Sequence, residues 1–156
     1  MPDAVMTVTV ADFRDYATSI GVTLPESDAA CMVLLIKASG YLDSRDDELR
    51  GIRTERDQEY AYPRKDLFIN GFKFRDDEIP DIAKRCLMAL AIDAVTVDLF
   101  ASSIDLPVIS EEVSGAVRVQ YATPINVEVS ERRSNGMALL SQLLMSRSLS
   151  IPLQRT

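Results

Sequence analysis

The stretch from Ile79 to Ser103 constrains the fold most strongly, because its apolar side chains fall on more than one face of a helix. Pro80 suits the first turn of such a helix, where its missing N–H is no loss. The sequence therefore predicts a long central helix over about residues 80–102, covered on several sides by its own chain or by a neighbouring subunit. Asp93 and Asp98 interrupt the run, which disfavours a membrane span.

Two polar residues mark the starts of helices that precede the central one. Thr9 with Asp12 approximates a capping box and predicts a helix over residues 10–20. Ser27 is a fair N-cap for a second helix, whose apolar stripe is broader than that of a simple surface helix. We expect this second helix to lie against the central one.

The β signals are local and short. Asn70-Gly71 is a strong turn signal between two apolar triplets, which predicts a small hairpin or an ordered loop held by aromatic side chains. Strict alternation of apolar and polar residues predicts a β-hairpin insertion at about 108–130. Ser134 or Asn135 is expected to cap a last helix.

These elements predict a mainly α fold with a small antiparallel β-hairpin or sheet, arranged as a helical bundle around the central helix. Residues 1–147 are expected to form one helical domain that carries the 108–130 insertion. Residues 148–156 are expected to form an extended docking tail, either folded back on its own domain or added to a sheet edge of a partner. Its apolar residues alternate with other residues: Leu149, Ile151 and Leu153.

Charge is distributed unevenly along the 156 residues. The net charge is −7, which argues against a general nucleic-acid binder, whose binding surface is usually basic. Residues 132–156 nevertheless hold four arginines and no acidic residue. Such asymmetry indicates a tail that meets an acidic surface of its own body or of a partner, or else a loosely ordered terminus with incidental arginines.

The composition excludes several kinds of catalysis. The chain has no histidine, which removes Ser-His and Cys-His nucleophile pairs and most zinc sites. No phosphate-binding glycine-rich loop is present, so we expect no enzyme activity and no cofactor or metal. Cys31 and Cys86 lie in apolar helical stretches and are expected to be buried free thiols, with a disulfide as the alternative. The N-terminus lacks the pattern of a signal peptide, which favours an intracellular protein.

Two polar segments are candidates for partner contacts. Residues 43–59 mix seven acidic residues with four arginines, so they form either a solvated loop with ion pairs or a contact surface between subunits. A metal site at the acidic start of this segment has only weak support. Residues 60–75 place aromatic residues among basic ones, which suits either packing of a loop on the core or a stacking platform for single-stranded nucleic acid.

The order of several short motifs resembles the head–tail connector, or adaptor, proteins of tailed bacteriophages. Some members of that family are labelled DnaT-like single-stranded-DNA-binding proteins. The resemblance covers about residues 10–147. It is carried by Tyr41-Leu42-Asp43-Ser44, Gly51, Gln58 followed by Tyr62-Pro63-Arg64, Ile79-Pro80, the alanine-rich run from Ala83 to Ala94, and the strand from Gly115 to Tyr121.

The resemblance implies a structural, non-catalytic virion protein at the head–tail junction, made in the host cytoplasm. It would form a ring, often of twelve copies, under the portal protein and offer a docking platform for stopper or tail-completion proteins. Genomic double-stranded DNA would pass through its lumen without sequence-specific binding. The alternative is a single-stranded-DNA-binding accessory protein. The expected partner contacts are Arg45, Arg50, Arg53, Tyr62, Pro63, Arg64, Arg147, Leu149, Ile151, Leu153 and Arg155.

Overall fold

The computed structural model describes residues 3–96, 98–100 and 134–145. This part of the chain combines helices with small two-stranded antiparallel sheets. The helices are α1 (Val10–Ser19), α2 (Asp28–Ser44), α3 (Asp81–Thr96) and α4 (Asn135–Leu143). The strands are β1 (Ala4–Val5), β2 (Val8–Thr9), β3 (Ile52–Arg53), β4 (Arg64–Lys65), β5 (Phe68–Ile69) and β6 (Phe72–Lys73).

The first hairpin leads directly into α1. Strands β1 and β2 are joined by Met6 and Thr7, both of which have positive φ angles, and the Met6 side chain is buried in the core. Thr9 ends β2 and caps α1 through the predicted capping box, in which its hydroxyl accepts from the Asp12 N–H and the Asp12 carboxylate accepts from the Thr9 N–H. The predicted first helix is therefore confirmed.

Helices α2 and α3 form the centre of the described core. Ser27 caps α2 as expected, and α2 packs against α3. Helix α3 also contacts α1 and α4, and it buries a continuous run from Cys86 to Ala91. The prediction of a helix to about residue 102 is not confirmed, because α3 ends at Thr96. Within the described residues, no helix is both long and apolar enough to cross a membrane.

Helix α4 approaches α3 closely at a glycine. Ser134 caps α4, as predicted, through its hydroxyl and the Met137 N–H. A Cβ at Gly136 would lie 2.9 Å from Cδ2 of Leu90 and would also meet the carboxylate of Asp93. The two helices can therefore pack at this distance only because residue 136 has no side chain. The free, buried thiol of Cys86 lies beneath the same contact, with its sulfur 3.8 Å from the Gly136 carbonyl oxygen.

The end of α4 is fastened to the loop that follows α2. Leu144 forms an antiparallel bridge with Leu49. The Met145 N–H donates to the Glu48 carbonyl at 2.8 Å, and the Arg50 N–H donates to the Leu143 carbonyl at 2.9 Å. These bonds hold the backbone in place up to residue 145, the last described residue. The predicted 108–130 insertion and the 148–156 tail lie outside the described residues and stay predictions.

Candidate nucleic-acid interface and the arginine network behind it

The segment after α2 is organised by one buried arginine. Arg64 is only 3% exposed, and its guanidinium donates to the Asp46 carboxylate at 2.6 Å. It also donates to four main-chain carbonyls, those of Arg50, Gly51, Asp46 and Ala61, at 2.9 to 3.2 Å. A single planar guanidinium thereby ties the 46–51 loop to β4.

The Asp46 carboxylate accepts a second arginine. Arg53 donates from Nε to the same oxygen at 2.9 Å, and its NH1 donates to the Gln58 carbonyl at 3.0 Å. Burial raises the pKa of Asp46, but the hydrogen bonds from Arg64 and Arg53 outweigh it and hold that pKa below its usual value. Asp43 lies beside this pair, with Oδ1 3.9 Å from the Arg53 guanidinium, and burial raises its pKa.

Two further arginines predicted at partner contacts, Arg45 and Arg50, are also engaged within the chain. Arg45 pairs with Glu48 at 3.0 Å and lies over the Tyr41 ring. Arg50 donates from Nε to the Leu144 carbonyl at 3.0 Å. These bonds favour the interpretation of the 43–59 segment as an ion-paired loop.

Tyr62 and Pro63 form the turn in front of Arg64. The Tyr62–Pro63 peptide bond is cis, the Tyr62 side chain is buried, and Pro63 is half-buried. The guanidinium of Arg64 lies 6.0 Å from the Tyr62 ring centroid, and burial raises the pKa of the Tyr62 hydroxyl. Tyr62 and Arg64 thus present little surface in this chain, so their direct contact with a partner stays a prediction that the burial does not favour. Arg147, Leu149, Ile151, Leu153 and Arg155 lie outside the described residues.

The hairpin β5–β6 is the exposed part of the aromatic and basic segment. Asn70 and Gly71 have φ angles of 53° and 84°, as the predicted two-residue turn requires, and the hairpin prediction is confirmed. Because Phe68 pairs with Lys73 and Ile69 pairs with Phe72, the hairpin has two different faces. We name them the Phe68 face and the Phe72 face.

The Phe68 face combines a ring with a cation. Phe68 is 50% exposed, and the Lys73 ammonium lies 5.8 Å from its ring centroid. Lys65 and Arg75 are exposed on the flanking residues, although Arg75 lies 3.4 Å from the Asp77 carboxylate. This arrangement can stack a planar ligand and place positive charge beside it.

The Phe72 face borders a cleft with the start of α3. Phe72 is 74% exposed, which is more than any other large apolar side chain of the described residues. The cleft measures about 420 Å³ and includes Phe74 and Ile82 among its apolar walls. Sequence reasoning missed this cleft, because the hairpin and α3 meet through packing that no local motif encodes. It treated the aromatic residues of the segment as one set, whereas the strand register divides them between two faces.

Together, these features define a small helical protein with an exposed aromatic hairpin and, in its described portion, no group of three or more metal-ligating side chains. A family model described as "Putative DnaT-like ssDNA binding protein" matches residues 1–156. The chain therefore belongs to that family. Neither the curated proteins nor the solved structures gave a match.

Proposed function

We propose that the protein binds single-stranded DNA without catalysis and that the Phe68 face of the β5–β6 hairpin is the contact surface. Membership of a family described by single-stranded-DNA binding supports the ligand class. The observation that carries the proposal is the half-exposed Phe68 ring with the Lys73 ammonium above it. Stacking on an aromatic ring tolerates any base, and adjacent cations contact the phosphates.

The charges set the expected strength of this binding. Residues 60–75 hold four basic residues and one acidic residue, whereas the whole chain carries −7. Three exposed cations, Lys65, Lys73 and Arg75, lie on or beside this face. Lys73 is 3.8 Å from the Asp66 carboxylate and Arg75 is 3.4 Å from the Asp77 carboxylate, so a phosphate must compete with these exposed pairs. Three contacts to a single strand give a slope of about −2 in log K against log salt. Binding is therefore expected to be weak at physiological salt and measurable at low salt.

Fluorescence anisotropy with a labelled oligothymidine, titrated between low and moderate salt, tests the proposal. Phe68→Ala should weaken binding by about fivefold to 100-fold, since stacking one base contributes about 1–3 kcal/mol. Phe72→Ala is the matched control on the opposite face and should leave the affinity unchanged. Equal affinity of wild type and Phe68→Ala, or no binding at low salt, would refute this function.

A second candidate is the head–tail adaptor of a tailed phage, a homo-oligomeric ring, often of twelve copies, that binds portal and stopper or tail-completion proteins. Its support is an exposed apolar pair on α2, where Val33 and Ile36 are 40% and 41% exposed one turn apart. The acidic net charge also suits a DNA conduit, because passing double-stranded DNA should not adhere to its wall. In this proposal the protein is a non-catalytic virion component at the head–tail junction, made in the host cytoplasm.

Cryo-electron microscopy of virions or of portal–tail complexes tests the adaptor. A ring of this chain stacked on the portal supports it. Absence of the chain from the particle, together with its recovery on replicating DNA, refutes the adaptor and favours the single-stranded-DNA function.

A further inference from the structure

We propose that the cleft on the Phe72 face is a docking site for residues 147–155 of a second copy of this chain. The inference concerns assembly and does not depend on DNA binding, which is assigned to the opposite face of the hairpin. Three observations carry it: the chemistry of the cleft, the pattern of the tail, and the position from which the tail leaves the domain.

The cleft is apolar inside and acidic at one side. Ile69, Phe72, Phe74 and Ile82 contribute apolar surface, Glu78 and Asp81 contribute two carboxylates, and Arg85 contributes one cation, so the charged groups of the lining sum to −1. Its volume of about 420 Å³ lies within the range of about 300–1,000 Å³ that is usual for binding clefts. The acidic segment 76–81 holds four carboxylates, which disfavours a phosphodiester ligand and favours a cationic one.

The tail has the complementary pattern. In an extended chain every second residue lies on the same face, so Leu149, Ile151 and Leu153 share one face with Arg147 and Arg155. That face presents three apolar side chains between two cations. It matches a cleft with apolar walls and a carboxylate rim, and the three apolar residues span about 13 Å in an extended strand.

The tail also begins in a suitable place. The Met145 N–H is held by the Glu48 carbonyl, so the tail starts from a fixed point just beyond α4. The eleven residues from 146 onward reach about 36 Å when extended. This reach exceeds the roughly 13 Å that the three apolar residues occupy, so chain length remains to pass from one copy to another.

A second copy is the better occupant than the chain's own tail, because it brings the surface of a whole domain as well as a tail, and more apolar surface is exposed than one tail can cover. Nine large apolar side chains of the described residues are 40% to 74% exposed. They are Ile20, Val33, Ile36, Ile52, Phe68, Phe72, Val95, Phe100 and Met145. Docking of one copy's tail in the next copy's cleft is a head-to-tail contact, which produces rings when the rotation closes.

Complementation of two variants of the full chain tests this proposal. Phe72→Asp impairs the cleft but leaves the tail intact, and Ile151→Asp impairs the tail but leaves the cleft intact. Phe68→Asp is the matched control on the other hairpin face. Mass measurement by light scattering or sedimentation, over a wide concentration range, reports assembly, and far-UV circular dichroism checks that each variant is folded.

Wild type and Phe68→Asp are expected to assemble beyond one chain, and each cleft or tail variant alone is expected to be monomeric. The mixture of Phe72→Asp with Ile151→Asp should form a one-to-one complex, because one intact tail can enter one intact cleft. Assembly that survives Ile151→Asp, a mixture that stays monomeric, or a wild type that is monomeric at every concentration would overturn the proposal.

Discussion

Replacement of Arg64 by alanine should be among the most damaging single changes in the described part of this protein. The guanidinium donates five hydrogen bonds of 2.6 to 3.2 Å, one to the Asp46 carboxylate and four to main-chain carbonyls. Because Arg64 is 3% exposed, water does not easily replace these donors. The change removes the tie between the 46–51 loop and β4.

The expected magnitude follows from the same contacts. Breaking a buried ion pair by removing one partner costs about 3–5 kcal/mol. The Asp46 side chain is 36% exposed and keeps its bond from Arg53, so water and Arg53 stabilise part of the carboxylate that is left. We therefore expect a loss of about 3 kcal/mol, a large share of the 5–15 kcal/mol by which domains are usually stable.

Equilibrium unfolding in urea, followed by far-UV circular dichroism, measures this loss. Arg64→Lys should recover only part of this stability, because an ammonium has three donors and lacks the planar fork that reaches both the 46–51 loop and the Ala61 carbonyl. Arg75→Ala is the matched control: its side chain is 78% exposed, and the change should stay within about 0.5 kcal/mol. A loss below about 1 kcal/mol for Arg64→Ala would show that the network contributes little to stability.

Three further predictions test other parts of the fold. The pKa of Asp46 lies below its usual value, so the stability that Asp46 contributes is fully present above the unfolded-state pKa of about 4 and is lost as pH falls through the folded-state pKa. Asp46→Asn should therefore flatten the decline in urea midpoint below about pH 4, and an unchanged decline would contradict the network. Gly136→Ala should destabilise the protein by about 1–3 kcal/mol despite the better helix propensity of alanine, because the new methyl group meets Leu90 and Asp93. Ala138→Ser, at an exposed position of α4, is the control, and an increase in thermal midpoint for Gly136→Ala would refute the close contact. Both cysteines are buried, and burial raises the pKa of Cys86 to about 12. A thiol reagent should therefore label neither Cys31 nor Cys86 until urea unfolds the chain, and rapid labelling of the native protein would contradict this burial.

Local signals in the sequence predicted local structure well. Thr9 with Asp12, Ser27 and Ser134 specify helix starts through bonds to residues three positions away. The Asn70-Gly71 turn is equally local, because both residues tolerate positive φ. Such features depend on short range chemistry and can be recognised without knowledge of the fold.

The features that sequence reasoning missed depend on distant partners. Pairing of β3 with β4 joins residues 52–53 to 64–65, and the bond network that fixes this pairing depends on burial of Arg64. In the sequence Arg64 stands beside Lys65 in a segment of aromatic and basic residues, which led to its prediction as a partner contact and not as a buried residue. The Met6-Thr7 turn was missed because neither residue type favours positive φ, and core burial of Met6 compensates for the strain.

The bridge between Leu49 and Leu144 has a mechanical consequence. Its hydrogen bonds, from the Met145 N–H to Glu48 and from the Arg50 N–H to Leu143, run across the two antiparallel segments. A pull along the chain beyond residue 145 therefore loads them together in shear, and Arg50 passes that load through its carbonyl to the Arg64 guanidinium. Tension applied at the C-terminal end is therefore shared between the end of α4 and the loop that the Arg64 guanidinium holds.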